Sequence, residues 1–505
     1  MHKLAQLDHR YIWHPFTQMQ DWLKSEPIVI VEGRGAVLQD ARGREYLDAN
    51  ASIWTNLHGH NHPRINAAIT RQFKKIAHSS ALGLANEPAS LLAEKLVQAA
   101  NVGRSGTRHS RLEKVFFSDD GSTAMEVALK LAYEFARRVR HDPSPRFLSF
   151  AGAYHGDTVG AVSLGHIDLF HKSYRGLLFK TDSAPAPYCY RCPFNRAKPE
   201  RADARDYRKC GWECVGLVEK KFGAQKKKGR RYAGLIVEPL MQGAAGMIAQ
   251  PQGWLRALSE IAGRYGTPLI ADEVMTGFGR TGLQTNGAKG QRTRPQTGGS
   301  LFACHQEGVQ PDFLAVAKGL TGGYLPMAAT LTTQEVFDAF LGDYSEFKTF
   351  FHGHSFTANQ LGSAAALESL AILESTASIR ARHALQAALG EQLQTLWALP
   401  NVGDIRQAGL VAGVELVKDW RTRAPFDLRE RAGIRVCEAM ARRGVLTRPI
   451  GNVVVLMPPY CTTPSQLKQM ILALRDGIVE TLMEPFSSCK SQECPNSFVY
   501  ALSCI

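Results

Sequence analysis

Short hydrophobic runs alternate with segments of helical periodicity through the middle of the chain. Apolar residues at 65, 69, 73 and 76 recur at helical spacing. Five apolar runs are predicted to be buried strands, at 114–118, 146–150, 233–239, 267–274 and 313–317. Buried strands that alternate with helices are typical of a mostly parallel sheet. The pattern therefore predicts an α/β fold for this region.

Three polar residues, Glu238, Asp272 and Lys318, stand where predicted strands end. The carboxyl ends of parallel strands meet at one edge of the sheet, where ligands bind. Lys318 also opens a loop that contains Gly319, Gly322 and Gly323. A lysine that is partly desolvated there has a lowered pKa and is a better nucleophile. A lone lysine at a strand end more commonly points into solvent, but the three residues together indicate a Schiff-base site.

A second candidate site follows the strand at 114–118. The turn Asp119–Ala124 leads into a predicted helix, and Gly121 and Ser122 lie at its start. Free backbone N–H groups and the helix dipole favour an anion at such a position. Tyr154 follows the next strand and is suited to cover the face of a flat cofactor, although a core tyrosine is the alternative.

The periodicity of hydrophobic residues changes along the chain, and we predict four segments. Residues 1–60 form an N-terminal segment that joins the small domain and contains an antiparallel hairpin. Residues 61–355 form the large domain, with insertions at about 188–232 and 283–300. Residues 356–485 form a smaller α+β domain. The last residues, 486–505, lack periodicity and are expected to be a disordered tail.

The formal net charge of +14 is concentrated in the first insertion. Residues 191–231 carry 14 basic and 5 acidic side chains, a net charge of +9. Aromatic residues are not interleaved with the lysines there, as a nucleic-acid groove would require. We therefore expect a solvated surface insertion and no nucleic-acid partner. The N-terminus has no apolar run after Lys3, and no apolar stretch reaches membrane-spanning length, so we expect a cytoplasmic protein.

Ten cysteines are more than a cytosolic enzyme needs. Four of them occur as Cys189-x2-Cys192 and Cys210-x3-Cys214, a spacing also found in zinc knuckles. Free thiols in a surface insertion are the favoured interpretation, with zinc as the alternative. The three histidines of Leu57–Pro63 are expected to pack and line a pocket rather than to bind metal. We predict no metal site for the chain.

Two segments, Asp272–Gly282 and Ala317–Gly323, resemble the signature of class III, fold-type I pyridoxal-phosphate-dependent aminotransferases. Five more resemble the branch of that family that aminates 8-amino-7-oxononanoate in biotin synthesis, at 13–17, 59–63, 154–158, 237–243 and 446–451. The likeness covers residues from about 10 to 484, apart from the second insertion. It implies a mostly parallel seven-stranded sheet, a smaller α+β domain, pyridoxal phosphate as cofactor, and a homodimer with shared active sites.

The resemblance also implies roles in catalysis. Lys318 would form the Schiff base and then move protons as general acid and base. Asp272 would pair with the pyridinium nitrogen of the cofactor, and Tyr154 and Val274 would lie on opposite faces of its ring.

Further roles follow for the cofactor phosphate and the substrate. The residues implied to bind the phosphate are Gly121 and Ser122, with Ser355 contributed across the dimer interface. His354 is also implied to bind the cofactor. The residues implied to contact substrate are Ile53, Trp54, Tyr154, Lys318, Gly353 and Arg448. Arg448 would bind the distal carboxylate, while Asp157 and Arg280 would line the pocket.

Two positions leave the amino donor open between S-adenosylmethionine and lysine. Phe16 and Ile53 stand where adenosylmethionine-using members carry tyrosine and tryptophan, which favours lysine. The alternative function is another class III ω-aminotransferase, acting on ornithine, 4-aminobutyrate or a β-amino acid. A third hypothesis is an inactive, metal-binding interaction protein built on the cysteine insertion, against which intact Lys318 and Asp272 argue.

Overall fold

The computed structural model describes residues 1–102, 111–282 and 300–483. The predictions for the loop at 283–299 and for the tail, which contains Cys489, Cys494 and Cys504, lie outside the described residues. The chain divides into two units. Unit 1 comprises residues 1–62, residues 197–208 and the described part of 384–505. Unit 2 comprises the described parts of 63–196 and 209–383.

Unit 1 begins with two helices, Lys3–Tyr11 and Met19–Trp22, and the predicted hairpin. Its antiparallel strands are β1 (Ile30–Arg34), β2 (Val37–Asp40) and β3 (Glu45–Asp48). Asp40 closes the turn between β2 and β3, because its carboxylate accepts hydrogen bonds from the backbone N–H groups of Arg42 and Arg44. The alternating pattern at 28–48 therefore folds as predicted.

One turn of left-handed helix follows β3, at Ala51–Trp54. The φ angles are 45°, 47°, 62° and 73° along this turn, and none of the four residues is glycine. Hydrogen bonds from Trp54 N to Asn50 O and from Thr55 N to Ala51 O close it. Left-handed backbone costs roughly 1–2 kcal/mol per L-residue, and a β-branched residue such as Ile53 is a marked outlier. Other contacts must therefore hold the turn.

Unit 2 is built on a seven-stranded sheet within the described residues. Its strands in chain order are β4 (Leu112–Ser118), β5 (Arg146–Phe150), β6 (Asp182–Ala184), β7 (Tyr232–Val237), β10 (Leu269–Asp272), β11 (Phe313–Val316) and β12 (Ala328–Thr333), while β8 (Met241–Gln242) and β9 (Ile248–Ala249) form a separate small hairpin. The spatial order is β4-β12-β11-β10-β7-β5-β6. Only β12 runs antiparallel to its neighbours, so the predicted mostly parallel sheet is confirmed.

Helices pack on this sheet. Those of unit 2 are Pro63–Phe73, Glu87–Ala100, Gly121–Arg140, Val159–Leu164, Asp168–His171, Glu213–Lys227, Trp254–Arg264, Gln334–Asp338 and Gln360–Leu373, and Thr376–Gln394 carries the chain into unit 1. The helix Gly121–Arg140 begins with a capping box between Asp120 and Thr123. Its apolar face, including Leu131 and Phe135, joins the core under the sheet. Within the described ranges, every helix is too short or too polar to span a bilayer.

The rest of unit 1 forms a second, mainly antiparallel sheet. Its strands are β13 (Val402–Ala408), β14 (Val411–Asp419), β15 (Ala424–Pro425), β17 (Pro449–Ile450) and β18 (Val453–Leu456), while β16 (Val445–Leu446) extends the N-terminal sheet. The strands β13, β14, β18 and β17 are neighbours in that order, whereas β16 pairs with β3 in parallel. The helices Ala432–Arg442 and Pro464–Ile478 complete the α+β arrangement that the pattern predicts.

The middle of the first insertion belongs to unit 1, although both of its flanks belong to unit 2. Arg201 fixes it there, donating hydrogen bonds to the backbone carbonyls of Trp397, Leu399 and Val402. Its guanidinium also lies over the ring of Trp420, 4.9 Å from the centroid. The basic excess of this insertion is therefore partly structural.

Candidate active site

Lys318 lies immediately beyond β11, at the start of a 3₁₀ turn that ends at Thr321. Its own φ is 45°, so its backbone is in the left-handed region. Burial lowers the pKa of its amine below the ordinary lysine value, although the carboxylates of Asp272 and Glu238 favour the charged form. The structure thus gives this lysine the partly desolvated surroundings that suit a Schiff-base nucleophile.

Asp272 ends β10, and His155 holds it from the end of β5. Nδ1 of His155 lies 2.7 Å from Oδ2 of Asp272, and the backbone N–H of Val274 donates to Oδ1 over 3.1 Å. Burial lowers the pKa of His155, but the hydrogen bond and the charge of Asp272 outweigh it, so the pKa of His155 is raised. His155 was not predicted from the sequence, because its partner lies far away in the chain. Its position beside Tyr154, at a strand end, was the available signal.

Glu238 completes a buried chain of titratable groups. It follows β7, which lies between β5 and β10 in the sheet. Its carboxylate accepts hydrogen bonds from the N–H of Tyr154 (3.2 Å) and of Gly243 (2.8 Å). Burial raises the pKa of Glu238 to about 7, and the nearby His155 opposes that rise. Three adjacent strand ends therefore bring Asp272, His155 and Glu238 together.

Tyr154 presents a neutral phenol beside these groups. Its hydroxyl donates to Oδ2 of Asp157 over 2.7 Å. Burial and the hydrogen bond to Asp157 raise the pKa of Tyr154 well above the ordinary tyrosine value. The backbone N–H of Asp157 in turn donates to the hydroxyl of Ser122, at 2.8 Å. The aromatic candidate is therefore tied to the predicted phosphate cradle.

The start of the helix Gly121–Arg140 is packed too closely for larger residues. A Cβ atom on Gly121 would lie 2.6 Å from Cγ1 of Val274. A Cβ atom on Gly156 would lie 1.9 Å from Oγ of Ser122, and Gly156 has a φ of 120°. The 20-residue helix directs its first N–H groups and its dipole to this point. The phosphate of a flat cofactor fits this cradle.

Residues 353–355 lie in an exposed part of unit 2. The ring of His78 lies 2.9 Å, through Nε2, from the carbonyl oxygen of Ser355. The backbone N–H of His354 donates to the hydroxyl of Thr357. Phe351 and Phe356 on either side are 72% and 58% exposed, which leaves a large apolar surface around this segment.

The other predicted substrate residues belong to unit 1. Ile53 and Trp54 occupy the left-handed turn, where Ile53 is 37% exposed and Trp54 is buried. Arg448 is half-buried between β16 and β17, and its carbonyl oxygen accepts from the N–H of Val455. Phe16 has a left-handed backbone and is partly exposed. Arg280, in unit 2, is almost completely buried.

Among the described residues, no group of three or more His, Cys, Asp or Glu side chains is arranged to hold a metal ion. In the histidine-rich loop, His60 lies 3.0 Å from the carboxylate of Asp48, a structural contact. Cys192, Cys210 and Cys214 of the first insertion are half-buried free thiols, and Cys189 is buried. Burial raises the pKa of the Cys214 thiol, which favours its neutral form.

The sequence model of the class III aminotransferases matches residues 19–289 and 294–478. The chain belongs to this family, so it is a transaminase whose cofactor is pyridoxal phosphate. It is 47% identical to the adenosylmethionine-8-amino-7-oxononanoate aminotransferase of Geobacter sulfurreducens over 475 residues, which cover 94% of this chain and 97% of the relative. The enzyme of the same name from Methanocaldococcus jannaschii is 40% identical over 481 residues, 94% of this chain and 98% of that one.

Solved structures agree with this assignment. The crystal structure of the Methanocaldococcus jannaschii enzyme superposes with a TM-score of 0.82 at 37% identity, covering 95% of this chain and 99% of that one. A PLP-bound amine transaminase from an uncultivated Pseudomonas species gives 0.81 at 32% identity, covering 93% and 98%. The predicted aminotransferase class and fold are therefore confirmed.

Proposed function

We propose that the protein transfers an amino group to 8-amino-7-oxononanoate and so produces 7,8-diaminononanoate for biotin synthesis. One observation carries the proposal: relatives at 31–47% identity, aligned over 94–95% of the chain, bear the name of that activity. An identity spread over both units favours a shared substrate as well as a shared fold.

We assign the cofactor-binding roles to residues of unit 2. Bound pyridoxal phosphate supplies an electron sink for the carbon that gains or loses the amino group. Asp272, held by His155, would keep the proton on the ring nitrogen, and Tyr154 and Val274 would hold the ring between them. The amine of Lys318 would carry the cofactor and move the proton at the reacting carbon, a task that suits an amine of lowered pKa.

We assign the phosphate and substrate roles as the resemblance implies. Gly121 and Ser122 bind the phosphate through the helix N-terminus. Arg448 pairs with the distal carboxylate of the keto acid, since a guanidinium makes two parallel hydrogen bonds with a carboxylate. The apolar side chains of Ile53 and Trp54 line the path of the substrate chain, and Gly353 leaves it room.

The amino donor is S-adenosylmethionine or lysine. The printed names of the relatives specify adenosylmethionine. Phe16 and Ile53 point instead to lysine, because they provide neither the hydroxyl nor the aromatic face that a nucleoside sulfonium would use. Single-turnover amine transfer from each donor decides between them.

We further propose a homodimer in the cytoplasm. Leu82, Tyr344 and Phe351 of unit 2 are 92%, 91% and 72% exposed, and an apolar surface of this kind is typical of a subunit interface. His354 and Ser355, in the same exposed region, would complete the phosphate site of the other subunit. Sedimentation analysis tests the dimer.

The decisive experiment supplies purified protein with pyridoxal phosphate, 8-amino-7-oxononanoate and each donor, and identifies the product by mass spectrometry. We expect 7,8-diaminononanoate, and borohydride reduction should fix the cofactor to Lys318 in peptide mapping. A reduced adduct on another lysine would overturn the site assignment.

Amine transaminases among the structural neighbours favour an ω-aminotransferase as the second candidate. Preferential turnover of ornithine, 4-aminobutyrate or a β-amino acid would establish that function instead.

A further inference from the structure

Besides its backbone hydrogen bonds, the strained turn at Ala51–Trp54 is bound by the carboxylate of Asp48. Oδ1 of Asp48 accepts hydrogen bonds from the N–H groups of Asn50 (3.3 Å) and Ser52 (3.0 Å). Oδ2 lies 2.8 Å from the hydroxyl of Ser52 and 3.0 Å from Nε2 of His60. Four donors therefore converge on a side chain that is only 3% exposed.

The histidine that donates to Asp48 is itself held by a hydrogen-bond partner. The N–H of Gly59 donates to Oδ1 of Asn56, so the amide nitrogen of Asn56 faces Nδ1 of His60 at 2.9 Å. Nδ1 of His60 is therefore an acceptor, and Nε2 carries the proton that is donated to Asp48. Burial raises the pKa of Asp48, but the hydrogen bonds from His60 and Ser52 outweigh it and leave the pKa below its ordinary value.

The same carboxylate stands on a rigid part of unit 1. Asp48 is the last residue of β3 and lies opposite Leu446 in the parallel pair with β16. The N–H of Ala49 donates to the carbonyl of Leu446, and the N–H of Met457 donates to that of Ala49. Arg448 follows β16 by two residues, so the turn and Arg448 continue from the same pair of strands.

We propose that Asp48, with His60 behind it, is a positioning residue that sets the left-handed turn and thereby the apolar substrate contacts of Ile53 and Trp54. This inference rests on the proposed function. The carboxylate of Asp48 already accepts four hydrogen bonds from the protein, so we assign it no substrate contact. Its effect passes through a turn whose tip, Ile53, is exposed and whose anchor, Trp54, is buried. Recognition of the substrate chain is therefore pre-organised before substrate binds.

The test compares Asp48→Asn with the matched control Asp40→Asn. Asp40 is also a buried carboxylate of unit 1, and it holds the β2–β3 turn through Arg42 N, Arg44 N and the hydroxyl of Tyr46. An asparagine at 48 presents N–H groups to donors, so the turn should open. We expect KM for 8-amino-7-oxononanoate to rise about 10-fold with kcat within about 2-fold of wild type, whereas Asp40→Asn leaves both unchanged.

A second variant isolates the strain. Ala51→Gly relieves one left-handed position without removing a polar contact, so it should restore most of the KM of Asp48→Asn. A purely structural role would not give this rescue. If Asp48→Asn does not fold, Ser52→Ala removes only the hydroxyl contact and should raise KM about 3-fold. An unchanged KM in a folded Asp48 or Ser52 variant, or a fall in kcat alone, overturns the proposal.

Hydrogen exchange separates this proposal from the proposed function. The amides of Trp54 and Thr55 donate within the turn. Peptides that cover 50–56 should therefore exchange at least about 10-fold faster in Asp48→Asn than in Asp40→Asn. A wild-type enzyme that does not aminate the keto acid would overturn the proposed function, and the exchange data would still decide whether Asp48 holds the turn. Equal exchange in the two variants would show that it does not.

Discussion

Nδ1 of His155 lies 2.7 Å from Oδ2 of Asp272, and both side chains are almost completely buried. A carboxylate can only accept, so the histidine donates and Asp272 keeps a fixed orientation. The pairing joins residues that are 117 positions apart. The pairing fixes the orientation of the carboxylate that we assign to the cofactor nitrogen.

We expect Asp272→Asn to keep the cofactor but to lose at least about 1,000-fold in kcat, because an amide cannot hold the ring nitrogen protonated. Loss of the residue that orients Asp272 should reduce kcat less than loss of the Asp272 carboxylate itself, so His155→Ala should lower kcat about 10–100-fold. Cofactor absorption at roughly 400–430 nm and steady-state kinetics measure both effects. His171→Ala, at another buried histidine, is the control. Equal kcat in His155→Ala and His171→Ala would contradict the positioning role.

Gly156→Ala should abolish tight cofactor binding. The new Cβ atom would lie 1.9 Å from the hydroxyl of Ser122, at a φ of 120° that alanine does not tolerate. The phosphate cradle must then move. Gly176→Ala is the matched control, because no atom lies within 4 Å of a Cβ there. The cofactor content after gel filtration measures the effect, and a fully loaded Gly156→Ala protein would refute it.

Glu238→Gln should change how stability depends on pH. The pKa of Glu238 is about 7 in the folded protein, against an ordinary value of 4.5. Between these values the folded protein binds the additional proton, so this group makes stability fall as pH rises from about 4.5 to about 7. Glutamine does not titrate, so Glu238→Gln should lack this fall in the free energy of unfolding, which is worth roughly 3 kcal/mol. Denaturant unfolding across this range should show it, and parallel curves for wild type and Glu238→Gln would count against the buried acid. Glu94→Gln, at an exposed residue, is the control.

Arg448→Ala should raise KM for 8-amino-7-oxononanoate about 30-fold or more, because the distal carboxylate loses a charged partner worth about 2–4 kcal/mol. Arg448→Lys should recover only part, since an ammonium makes no bidentate pair. The cofactor absorption should stay unchanged in both variants. Normal turnover of the keto acid by Arg448→Ala would remove the acceptor assignment.

Replacing Cys189, Cys192, Cys210 and Cys214 together by serine should leave the cofactor absorption unchanged. These thiols belong to the first insertion, and no metal-holding group was found among the described residues. We expect metal analysis of the wild-type protein to give less than about 0.1 zinc per chain. Stoichiometric zinc that mercury reagents release would show that the insertion is a metal site.

The strand ends were predictable from the sequence, because buried apolar runs mark parallel strands and polar residues just beyond them stand out. Asp272 and Lys318 were found in this way. His155 was not, since its role depends on which strands are neighbours, and that order is set by packing across the whole sheet. Asp48 was not predicted either. Three of its four donors lie within four residues of it, but no simple sequence pattern signals four consecutive non-glycine residues in left-handed backbone.

The placement of residues 197–208 has a consequence for how such chains can be recombined. The chain passes from one unit to the other at 62/63, 196/197, 208/209 and 383/384, all within described ranges. No single crossover in a gene can therefore exchange one whole unit for that of a relative. A substitute for unit 1 would have to include its own segment equivalent to 197–208. That segment would need an arginine that donates to the backbone carbonyl groups of the same unit. Because the chain passes repeatedly between the two units, recombination between relatives should leave them to be inherited together.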